Sequence, residues 1–91
     1  MKKVNREKLT DALFNWGGPN FGMDDTVVAS INPDDSTLIW VVKYDGELTN
    51  NLTEYSILRA FMINGKPVVS ADLQNASADE AFIKLGEVMF L

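Results

Sequence analysis

Residues 37 to 44, TLIWVVKY, carry apolar side chains at successive positions, and that restricts what this chain can fold into. The run is rich in β-branched and aromatic residues, which favours a strand. Alternation along a strand sends Leu38, Trp40 and Val42 to one face and Ile39 and Val41 to the other. A strand apolar on both faces has to be covered on both. Any face that the chain's own helices leave bare should be buried by another copy of the chain or by a different protein.

The flanking sequence supplies strands and helices. Thr26 to Ile31 reads as a strand, and Asn32-Pro33-Asp34-Asp35-Ser36 as a turn built from residues that suit turns. Asp45-Gly46 is a second turn signal, and Glu47 to Thr53 is polar enough for a loop or a weak strand. Residues 54 to 63 read two ways. Tyr55, Ile57, Arg59, Phe61 and Ile63 alternate with Ser56, Leu58, Ala60 and Met62 as in a strand, which is the favoured reading. Leu52, Tyr55, Leu58, Phe61 and Met62 would also line a helix opened by an Asn51–Glu54 capping box. Asn64-Gly65 serves either reading, as a hairpin turn or a helix stop, and Lys66 to Leu73 forms the last strand with Pro67 marking an edge.

Helices are expected at both ends. Leu9, Ala12, Leu13 and Trp16 recur at helical spacing over residues 5 to 16, with Asn5 as N-cap and Gly17 as the stop. Ser77-Ala78-Asp79-Glu80 has the form of a capping box, followed by an apolar stripe of Ala78, Ala81, Phe82, Leu85 and Met89. Between the first helix and the first strand lies NWGGPNFGMDD, residues 15 to 25. A phosphate-cradling glycine loop follows a strand and precedes a helix. This one follows a helix, lacks lysine and closes on two aspartates, so it reads as structural punctuation.

The resulting expectation is an α+β single domain over residues 1–91. It has a four-stranded antiparallel sheet flanked by an N-terminal and a C-terminal helix packed on one face, in the order α-β-β-β-β-α. Two such helices cover one sheet face. The other face would then expose Ile39 and Val41, joined by Leu58 and Met62 if residues 54–63 are a strand. A bare apolar face of that kind is seldom left wet, so these four, with Asp34 and Asp35 at its rim, are the candidate partner-binding residues.

Composition narrows the chemistry. The 91 residues contain neither cysteine nor histidine. That excludes disulfides, thiolate chemistry and thiolate zinc sites, together with the usual general base and the usual metal ligand. The acid pairs Asp24-Asp25 and Asp34-Asp35 match no calcium-loop spacing, and no nucleophile motif is present. No enzymatic activity, cofactor or metal is expected. Four of the eight basic residues fall in the first eight positions; beyond them four bases face twelve acids, a net charge of −8. Such a body repels phosphate, so nucleic acid is an unfavourable partner. The basic start, MKKVNREKL, is followed by no apolar segment, and no run approaches the length of a membrane span, so a cytoplasmic location without membrane contact is expected. The function expected on these grounds is a non-enzymatic, small acidic protein-binding module, of the kind that serves as inhibitor, immunity protein, phage antagonist or chaperone. Its partner would be another protein, a basic one if the acids steer it. The alternative is a small homodimeric structural or accessory protein whose second sheet face is its dimer interface.

Overall fold

The computed structural model describes residues 3–17, 25–46 and 54–89. Its elements are α1 (Lys3–Gly17), β1 (Asp25–Asp34), β2 (Thr37–Tyr44), β3 (Tyr55–Ile63), β4 (Lys66–Ala76) and α2 (Ala78–Met89). The α-β-β-β-β-α order is the expected one, and residues 54–63 form a strand. The four strands make an antiparallel sheet in sequence order, β1-β2-β3-β4. Helix α1 begins at Lys3, so Asn5 lies inside its first turn and is not the cap. Most of the glycine-rich loop and the polar segment before β3 lie outside the described residues.

Two turns show their chemistry directly. Between β1 and β2, the Asp34 carboxylate accepts from the Ser36 amide at 2.7 Å, and the Asn32 side-chain amide donates to the Thr37 carbonyl at 2.8 Å. Between β3 and β4, Asn64 (φ 52°) and Gly65 (φ 78°) both occupy the left-handed region, as a two-residue hairpin turn of the I′ type requires.

The helices lie on opposite faces of the sheet, which corrects the expectation that both pack on one. Leu9 and Leu13 of α1 are buried with Leu38, Trp40, Val42, Leu58 and Ala60. Ala81 and Val88 of α2 are buried with Ile39, Val41 and Ile57. The physical reason is the two-sided strand itself. With one helix on each side, both faces of β2 and β3 leave water; with both helices on one side, Ile39, Val41 and Ile57 would stay wet. Each such burial contributes about 1.5–3 kcal/mol. The arrangement is three layers thick, helix on sheet on helix.

Entry into α2 is abrupt. Asn75, at φ 53°, sits in an irregular stretch of the β3–β4 ladder, and one residue, Ser77, separates β4 from the helix. The Ser77 hydroxyl accepts from the Glu80 amide and donates to the Glu80 carboxylate, both at 3.2 Å, while the Ser77 carbonyl takes the Ala81 amide at 2.9 Å. That is the predicted cap, with the glutamate held by the serine hydroxyl. The packed stripe of α2 is rotated from the expected one. Ala81, Leu85 and Val88 face the sheet, while Phe82 stands 80% exposed. The small side chain of Ala81 lets the helix sit close to the strands, and Phe82, about 100° further round, is carried outward.

Candidate protein-contact surface

The residues singled out from sequence do not form one surface. Ile39, Val41 and Leu58 are all buried within the chain's own core. The register divides them: Trp40 pairs with Leu58, placing Leu58 and Met62 beneath α1, whereas Ile39 and Val41 lie beneath α2. The face they were to expose is closed by the second helix. Asp34 and Asp35 are exposed at the β1–β2 turn, where the Asp34 carboxylate fastens the turn.

Among the described residues, the β1 side of the sheet is the one least covered by the helices. Helix α1 lies over β2, β3 and β4, and α2 over β3 and β4, so β1 falls outside both main footprints. Val27 is 39% and Val28 49% exposed. Val27 pairs with Val42 and Ser30 with Trp40, which puts Val27 and Ser30 on the α1 face. Val28 occupies the bulge between them and has no directly opposed residue on β2. On that same face Phe14, 63% exposed, meets the Trp40 ring edge-on, with centroids 5.4 Å apart. Edge-to-face geometry of this kind is favourable beyond the area it buries. Phe14 packs on Trp40 and Val27 stands opposite Val42 on the α1 face, and Trp40 and Val42 themselves are buried.

Charge is arranged around this half of the sheet. Glu7 and Asp11 share a helical row with Phe14 at i, i+4 and i+7, and both are exposed. On the α2 face, Thr26 donates its hydroxyl to Asp45, and Lys43 lies 3.5 Å from the same carboxylate. The Thr26 hydrogen bond, followed by the charge of Lys43, holds the Asp45 carboxyl below its usual range against some desolvation. Further across that face, Arg59 Nε approaches Asp72 Oδ2 to 3.0 Å without hydrogen-bond alignment, Ser70 donates to Asp72 at 2.9 Å, and the guanidinium carbon lies 5.3 Å from the Phe61 ring centre. Arg59, which alternation placed among apolar neighbours, is therefore a salt-bridged sheet residue. Among the described residues no cluster of three or more acids could hold a metal ion, and no helix is long and apolar enough to cross a membrane.

Comparison with protein-family models, with curated proteins and with solved structures gives no match for this chain.

Sequence reasoning missed Phe14, Val27 and Val28. A signal was present for two of them. Adjacent valines break the alternation of the first strand, as a bulge does. Phe14 lies beside Leu13 but off the i, i+3, i+4 stripe, and nothing local says whether such a residue is covered.

Proposed function

We propose that this chain is a non-enzymatic protein-binding module that contacts its partner through the β1 side of the α1 face. The observation that carries the reading is the exposure of the large apolar side chains Phe14, Val27 and Val28. Exposed large apolar side chains are a common feature of protein contact surfaces. The surplus of acids over the chain favours a basic partner, since complementary charge speeds encounter. The test is affinity capture from cell extract with the native chain and with a Val27→Thr/Val28→Thr variant, which keeps β-propensity and removes apolar surface. The reading expects a protein retained by the first and lost by the second, with both chains equally folded by circular dichroism. Equal recovery by both would remove this surface from consideration.

A second reading, self-association, is favoured by a different observation. Helix α2 shows Phe82 and Ile83 to solvent on the flank away from its packed stripe. In this form the dimer surface is the outer side of α2, since the sheet face beneath it is already filled.

A further inference from the structure

We propose that α2 pairs with α2 of a second copy, antiparallel about a twofold axis, with Phe82 of each chain seated in a notch at Gly86 of the other. The inference rests on the self-association reading above and adds the contact that joins the copies. Phe82 and Gly86 are one turn apart, at i and i+4, so they share a flank of the helix. Met89 lies on the same flank, and Ile83 stands at its margin. Phe82, Ile83 and Met89 are all exposed, and Phe82 is the most exposed of them.

The structure of the single chain does not account for a glycine at position 86. Glycine is the poorest helix former apart from proline, yet Gly86 stands inside α2, three residues before its end. Among the described residues, Gly65 is the glycine with the positive φ that favours this residue, and Gly86 is not. A Cβ at Gly86 would meet no described atom within 4 Å, so close packing within the chain does not require its absence. What the glycine does supply is a gap in an apolar flank. A large ring at 82 is followed, one turn on, by a position where another chain's side chain can reach the helix backbone.

A knob and a notch side by side on one flank are complementary to themselves. A twofold axis at the level of Ile83 and Lys84 brings Phe82 to the partner's Gly86 and Gly86 to the partner's Phe82, an isologous contact. The charges of α2 permit it. Glu80, Lys84 and Glu87 are turned about 120° or more from the middle of the Phe82–Gly86 flank, and Lys84 pairs with Glu87 at 3.4 Å. Asp79 does lie on the flank. Antiparallel pairing sets its two copies about 13 Å apart along the helices, beyond the screening length at physiological salt. Parallel pairing would instead place Asp79 against Asp79 and Phe82 against Phe82, with the helix dipoles aligned unfavourably. A basic protein would be drawn to the opposite flank, where Glu80 and Glu87 stand. The nearly uncharged flank suits a second copy of itself.

The experiment is sedimentation equilibrium of the whole chain and of Gly86→Leu over one concentration series. Leucine is a strong helix former, so the variant should be at least as helical as the native chain by circular dichroism at high dilution. The expected result is a native mass that rises toward the dimer with concentration. Gly86→Leu, which fills the notch, should weaken association about tenfold or more. A dimer indifferent to Gly86→Leu would overturn the notch while leaving the self-association reading in place. A second measurement uses the native chain, so it decides even if the variant does not fold. In a mixture of ¹³C-labelled and unlabelled chains, isotope-filtered NMR should show contacts between the Phe82 ring protons of one copy and the Gly86 α protons of the other. A dimer without those contacts would overturn the inference. A native chain monomeric across the series would remove the self-association reading and the inference together. If such a monomer captured another protein that Phe82→Lys does not, the flank would belong to that protein instead of a second copy.

Discussion

Asp45 closes the end of the β1–β2 pair by taking the Thr26 hydroxyl from across the ladder and Lys43 from its own strand. Both favour the ionised form, so the folded chain holds this carboxyl below its usual value of 3.8. A carboxylate with a depressed folded pKa contributes stability above its unfolded pKa and loses it as pH falls through the folded value. Thr26→Val should therefore raise the Asp45 midpoint toward 3.8, read by carboxyl-carbon NMR titration; an unmoved midpoint would mean the hydroxyl is not what lowers it. One residue on, Gly46 is fixed by its neighbour. A Cβ there would stand 2.2 Å from the Tyr44 hydroxyl oxygen, so any larger side chain has to displace the ring.

At the scale of the elements, the cap of α2 gives the most direct test. Ser77→Ala removes the acceptor for the Glu80 amide and should cost about 1 kcal/mol, measured by urea denaturation; an unchanged midpoint would show that the helix is held by packing alone. This cap was legible in the sequence because it is local: four consecutive residues contain all its parts. The β3–β4 turn was legible for the same reason, Asn64-Gly65 being the pair that tolerates two left-handed residues. Strand β3 was ambiguous because Leu58, Phe61 and Met62 satisfy both periodicities, and only pairing with β2 and β4 on either side decides between them. The side on which each helix packs was not legible. That depends on how Leu9 and Ala81 find opposite faces of Trp40's strand, a long-range choice that no short window records. The candidate site failed with it, because Ile39 and Val41 were left bare only by placing both helices on one side.

For the molecule as a whole, the exposed flank of α2 decides between the monomeric binding module and the homodimer. If that flank is a dimer surface, sedimentation equilibrium at tens of micromolar should give twice the 10.1 kDa chain mass, and Phe82→Lys should return the monomer. A monomeric mass at that concentration leaves the β1 side as the contact surface. The same layering has a consequence for synthesis. Each strand pairs with its neighbour in sequence, so the sheet can assemble in the order in which it emerges, and α1 is available before any strand it covers. Ile39, Val41 and Ile57 are different: their cover, α2, is made after all four strands. Until α2 leaves the ribosome the growing chain presents one finished side and one greasy one, and it is through the greasy one that an incomplete chain would stick to its neighbours.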